Sequence, residues 1–171
     1  MNNIMILAIG SAGCNMVESI TCEASALWVR EATYLCADTD HTRLAELAKK
    51  GYQTILLKDF QITDEILKGV EKLYIIVGLG GNTGGAYINE VINTANCSGI
   101  NDVYAIVTIP FYFEGEVKIA KAKEAIESLN GVKTTVLYND DLLEKYADIN
   151  FTTAFNYADM SVLKVLELEE I

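Results

Sequence analysis

Two segments of small residues, each following an apolar run, hold the groups of this sequence best suited to gripping a polyphosphate. The first reads Ala8-Ile9-Gly10-Ser11-Ala12-Gly13-Cys14-Asn15 and leads into a helical pattern. Small residues let the backbone approach a phosphate, and a helix N-terminus adds partial positive charge. The second reads Gly78-Leu79-Gly80-Gly81-Asn82-Thr83-Gly84-Gly85. Five glycines in eight residues are costly to order unless the backbone takes special angles or approaches a ligand. Thr83 is placed to cap the helix that follows. Two such loops on one sheet edge can hold one polyphosphate from both sides. Neither carries the lysine of a Walker-type loop, which excludes an ordinary P-loop.

Alternatives stay open at this level. The first loop alone also fits a tight strand–helix turn without a ligand. It equally fits a dinucleotide fingerprint with its first glycine changed to alanine, in which Asp38 would be the ribose-binding acid. A third segment, Thr108-Ile109-Pro110-Phe111-Tyr112-Phe113-Glu114-Gly115, follows another apolar run. Phe111 and Phe113 read as an aromatic turn packed under a sheet edge. Glu114 can accept hydrogen bonds from ribose hydroxyls.

Other chemistries find little support. His41 is the one histidine, which leaves no room for His-based zinc sites, and no serine is placed to form a triad with it. Cys14, Cys22, Cys36 and Cys97 form no C-x-x-C pair and read as buried or semi-buried thiols. With 13 basic and 24 acidic residues the net charge is −11, which argues against a nucleic-acid partner but not against a nucleotide held by backbone N–H groups. The start, Met1-Asn2-Asn3, has no signal-peptide pattern, and no apolar stretch reaches the roughly 18 residues of a membrane span. The expectation is a cytoplasmic protein.

These loops need rigid elements to place them. Ile4–Ile9, Thr33–Ala37, Gln53–Leu57, Leu73–Val77, Val103–Thr108 and Thr134–Leu137 read as strands, and most are continuous apolar runs, the pattern of strands covered on both faces. Helical patterns fall between them, near Asn15–Val29, Thr42–Lys50, Asp64–Glu71, Gly84–Thr94, Glu116–Leu129 and Asp140–Tyr146. A last helix spans about Thr152–Glu169, with Asn150 or Thr152 available as N-cap. Alternation of this kind implies an α/β fold with a doubly wound, mainly parallel sheet and helices on both faces. Ligands of such sheets bind at the carboxyl ends of the strands. With 171 residues, 51% of them hydrophobic, one domain over residues 1–171 is expected.

Taken together, the motifs resemble the nucleotide-binding (GTPase) domain of the FtsZ/tubulin family. Gly10–Asn15 reads G-S-A-G-C-N against the family's G-G-A-G-G-N, and Gly80–Gly85 reads G-G-N-T-G-G against G-G-G-T-G-T-G. Thr108–Gly115 matches T-K-P-F-x-F-E-G, and Tyr138-Asn139-Asp140-Asp141-Leu142-Leu143 matches P-N-D-x-L-L. Ala154-Phe155-Asn156-Tyr157-Ala158-Asp159 matches A-F-x-x-A-D, with Val162 and Leu163 one step late. The resemblance implies a bound guanine nucleotide, GTP or GDP, with Mg²⁺ as a possible companion. Gly10, Ser11, Ala12, Gly13, Cys14, Asn15, Gly80, Gly81, Asn82, Thr83 and Gly84 would hold phosphates. Glu114 and Asn139 would meet ribose or base, and Lys118 stands where the family often has arginine. Phe155 would stack on the base and Asp159 would accept from the guanine edge; the two are at i and i+4 on one helical face.

The departures are equally specific. Cys14 and Asn82 replace glycines. Asp38 replaces a usual asparagine and stands beside Asp40; two carboxylates there would repel phosphates unless Mg²⁺ intervenes. The stretch between Asp40 and Leu73 is short for the family's γ-phosphate-sensing loop. The family's long central helix, second domain and catalytic loop for the next subunit are not among these residues. No catalytic residue is therefore assigned, and little GTP turnover by the chain alone is expected. The implied role is that of an FtsZ-like partner or regulator of cytoskeletal filaments in cell division, meeting a full-length relative. A non-catalytic interaction module and an NAD-binding protein remain the alternatives.

Overall fold

A computed structural model describes residues 3–58, 61–129 and 131–169. Six strands form one all-parallel sheet: β1 Ile4–Ile9, β2 Thr33–Asp38, β3 Gln53–Leu56, β4 Lys72–Gly78, β5 Asp102–Ile109 and β6 Lys133–Tyr138. Their order across the sheet is β3-β2-β1-β4-β5-β6. The chain winds outward from β1 in one direction, then returns to β4 on its other side. This reversal between β1 and β4 opens a crevice at the strands' carboxyl ends, where ligands of such sheets bind.

Helices α1 Gly10–Glu23, α2 Leu27–Glu31, α3 His41–Lys49, α4 Gly84–Cys97, α5 Glu116–Glu127, α6 Asp140–Lys145 and α7 Ala154–Leu168 complete the fold. Successive strand residues point to opposite faces, and both faces are covered. Leu7, Ile9, Leu35, Ile75, Val77 and Val107 pack with α4 and α5 residues such as Ile88, Val91 and Ala122. Ile6, Ala8, Cys36, Ile76 and Ile106 pack on the other face with Val17, Ile20, Leu44, Leu47, Val162 and Leu166 from α1, α3 and α7. Burial on both faces explains why the strands read as continuous apolar runs.

Three local expectations are corrected. The first helix begins at Gly10 rather than Asn15, and it breaks at Ala24–Ala26, where Ala24 and Ala26 are extended. The break has a partner: the Glu167 carboxylate of α7 accepts from Ser25 N (2.6 Å), Ser25 Oγ (2.8 Å) and Ala26 N (3.1 Å). The stretch Asp64–Glu71 forms turns, not a helix. Thr63 O accepts from Ile66 and Leu67 N, after which Gly69 at φ +81° redirects the chain. Neither Asn150 nor Thr152 caps α7, whose first turn follows Thr153 without a side-chain cap. Asn150 Oδ1 instead accepts from Thr152 and Thr153 N, ordering the turn ahead of the helix.

Candidate nucleotide site

The two glycine-rich loops meet at the crevice. Helix α1 starts directly after β1 and α4 starts after the β4 loop, neither with a side-chain cap. The unbonded N–H groups of Gly10, Ser11 and Ala12, and of Gly84, Gly85 and Ala86, are thus left at one edge. The two N-termini are close: a Cβ on Gly10, which has φ +80°, would stand 3.5 Å from Gly84 N. Several glycines serve the packing that brings the helices this near. A Cβ on Gly84 would meet Val77 Cγ1 at 2.4 Å, and one on Gly80 would meet Lys118 O at 2.7 Å.

Beside this double N-terminus runs a cleft of about 470 Å³. Ala12, Asn15, Glu114, Asn139, Phe155 and Asp159, all singled out in the sequence, line it together. They come from four separate parts of the chain, which makes the cleft the meeting point of the dispersed motifs. Phe155 is 50% exposed. Its ring stands perpendicular to Phe111 with centroids 5.7 Å apart, and its exposed half is open to stacking by a planar ligand. Asn139 is 6% exposed, and its Oδ1 has no hydrogen-bond partner. A buried unpartnered acceptor calls for a donor. Asp159 is half-buried and accepts from Ser19 Oγ at 2.7 Å. Burial raises its carboxyl above the ordinary value, and the Ser19 bond partly offsets the shift. Glu114 Oε2 accepts from Phe111 N at 2.8 Å, and Asp140 Oδ1 accepts from Tyr112 N at 2.9 Å. The first bond closes the aromatic turn on itself and the second ties it to the start of α6.

Other predicted residues take different positions. Cys14 is fully buried beside Cys36, and it is the fifth residue of α1, so its N–H is used within the helix. Contact with Cys36 and burial hold its thiol well above the ordinary range, which makes it a packing group rather than a ligand. Asp38, 2% exposed, accepts from Ser11 Oγ and Thr39 N, both at 2.7 Å. It braces the first loop from behind. Asp40 caps α3 by accepting from Thr42 and Arg43 N. The two carboxylates that sequence places side by side near the phosphate loop are therefore both engaged within the protein. Thr83 does not cap α4; its hydroxyl shares a 2.9 Å hydrogen bond with Thr39. Asn82 and Gly81 are exposed on the second loop, and Lys121 Nζ donates to Asn82 Oδ1 at 2.9 Å. Lys118 is exposed and stands 3.7 Å from Glu114 Oε1 without lining the cleft.

Sequence reasoning missed Glu18, Ser19 and Asn156, which also line the cleft. Ser19 was within reach: it follows Asn15 at i+4 on one helix face. Glu18 is paired with Arg43 and Lys50. Burial works to raise its pKa, but the bonds from Lys50 and Arg43 prevail and hold it below the ordinary carboxyl value. Among the described residues, no group of three or more His, Cys, Asp or Glu is arranged to hold a metal ion, and no helix is long and apolar enough to cross a membrane.

No protein-family model matches the chain. It is 29% identical over 185 residues to cell division protein FtsZ of Haloferax mediterranei, covering 95% of this chain and 48% of that protein. FtsZ of Mycoplasmopsis pulmonis is 27% identical over 187 residues, covering 95% and 45%. The chain thus spans about half the length of the relatives it matches. Among solved structures, an empty FtsZ dimer from M. jannaschii superposes with TM-score 0.78 at 22% identity, over 97% of this chain and 53% of that one. A GTPgS-bound protofilament of CetZ2 from Haloferax volcanii gives 0.72 at 15% identity, over 98% and 57%.

Proposed function

Since this chain is an FtsZ-like domain of the FtsZ/tubulin family, similar to FtsZ along 95% of its length, we propose that it binds a guanine nucleotide in the cleft beside β1 and β4. The observation that carries the reading is the convergence of Phe155, Asp159 and the unpartnered Asn139 Oδ1 in one cleft. The uncapped N-termini of α1 and α4 stand at its side. Phe155 stacks on the base. Asp159 accepts from guanine N1–H and the 2-amino group, donors that adenine lacks. The helix N-termini receive the phosphates. The donor and acceptor set fits GDP or GTP without a protein-bound metal. The NAD alternative loses ground, because Asp38 is buried and already accepts from Ser11 and Thr39.

Turnover of GTP by these 171 residues alone is proposed to be slow. Each carboxylate lining the cleft is engaged: Glu18 by Arg43 and Lys50, Glu114 by Phe111 N, and Asp159 by Ser19. A water positioned on any of these carboxylates would compete with those bonds. The partner in this reading is another FtsZ-like chain, in a role on cell-division filaments. The exposed side chains of Tyr112, Val117 and Phe151 near the aromatic turn offer a face for it. Nucleotide identification in chain purified without added ligand tests the reading. Guanine nucleotide in the released fraction is expected. Adenine or nicotinamide nucleotide in its place would overturn it.

A further inference from the structure

We propose that Arg43 is a positioning residue of the nucleotide cleft, fixing Asn15 so that its amide N–H groups face the purine. The inference rests on the guanine-nucleotide reading above. Arg43 lies on α3, outside the motifs that match the family, and its side chain is mostly covered. Its Nη2 donates to Asn15 Oδ1 at 2.6 Å and also to the Glu18 carboxylate. A guanidinium has donors only, so the face of the Asn15 amide turned toward it must be the oxygen. The Nδ2 donors are then directed away from Arg43, on a residue that lines the cleft with Phe155 and Asp159.

This orientation has a chemical consequence. Ser19 donates to one Asp159 oxygen and leaves the other as an acceptor. The cleft therefore offers a donor, Asn15, near an acceptor, Asp159. Guanine carries the complement: N1–H and 2-amino donors flanked by the ring acceptors O6 and N3. An Asn15 amide free to flip would also sample orientations with its oxygen toward those acceptors. Arg43 removes that option. Together with Lys50 it also neutralises Glu18, a carboxylate on the cleft wall that would otherwise repel an incoming phosphate.

A double-mutant cycle on the full chain tests this, with GDP as the probe in calorimetry. Arg43→Ala should weaken GDP binding about tenfold. In an Asn15→Ala background the same change should cost clearly less, leaving at most the smaller charge effect. A structural role for Arg43 would give the same loss in both backgrounds, and that outcome overturns the proposal. So does an Arg43→Ala chain that binds GDP like the parent. Should Arg43→Ala not fold, Arg43→Met keeps the aliphatic packing without a donor and carries the same cycle. If the parent chain binds no GDP, the reading of the cleft fails and this inference fails with it. Parent binding without coupling between Arg43 and Asn15 removes this inference alone.

Discussion

Gly13→Ala probes how closely α1 must approach the sheet to deliver its N-terminus to the site. A Cβ on Gly13 would stand 2.7 Å from the carbonyl oxygen of Ile76 and 3.5 Å from Ala8 Cβ. The oxygen belongs to β4, a central strand bonded on both sides, so it cannot yield without disturbing the sheet. The helix must move instead. Overpacking of this kind costs about 1–3 kcal/mol. Replacing glycine by alanine inside a helix returns about 0.5–1 kcal/mol. The net is a loss of about 1–2 kcal/mol, which lowers Tm by about 2–8 °C for a chain of this size. Gly81→Ala is the contrasting change. Nothing lies within 4 Å of the added Cβ, so stability should stay within about 0.5 kcal/mol of the parent. If phosphates rest on the second loop, however, GDP binding should weaken. Thermal denaturation followed by GDP titration reads both variants. Unchanged Tm in Gly13→Ala would refute the close approach of α1 to β4. Parent-like GDP affinity in Gly81→Ala would refute contact between phosphate and the second loop.

Further outcomes follow from the cleft's chemistry. Guanine donors require ionised Asp159, whose carboxyl in the free protein is raised by burial. GDP affinity should therefore be full well above that raised value and fall as pH drops through it; Asp159→Asn should flatten this limb of the titration, and a parent profile without the limb would contradict the assignment. Phe155→Ala should weaken GDP and ADP alike by about five- to tenfold, because stacking does not distinguish the bases; a loss confined to GDP would refute the stacking role. GDP and GTP should bind within about tenfold of each other at matched Mg²⁺. The described part of the β3–β4 connection, Gln61, Thr63, Glu65 and Ile66, lines a different cleft with Tyr87 and Glu90. A GTP affinity far above that of GDP would show another partner for the γ-phosphate.

The strands were legible because the central ones are buried on both faces, and the apolar runs matched the strand ends within a residue or two, also for the less buried edge strands β3 and β6. The helix break at Ala24–Ala26 was not, because its acceptor Glu167 is more than a hundred residues away in the chain. The convergence of Glu114, Asn139, Phe155 and Asp159 in one cleft was legible too, since they fall in local motifs. What failed were roles set by long-range bonds. Asp38 turned inward because Ser11 reaches it across the sheet edge, and Cys14 because Cys36 occupies the strand beneath. Nor does anything local to α3 mark Arg43 as a neighbour of Asn15.

The central claim is guanine recognition in this cleft, and calorimetric titration of the chain with GDP and with ADP at matched Mg²⁺ tests it most directly. An unpaired buried acceptor costs about 1–3 kcal/mol, so GDP should bind about tenfold or more tightly than ADP, and Asp159→Ala should erase the difference. Equal affinity for the two nucleotides, or a preference that survives Asp159→Ala, would contradict the account.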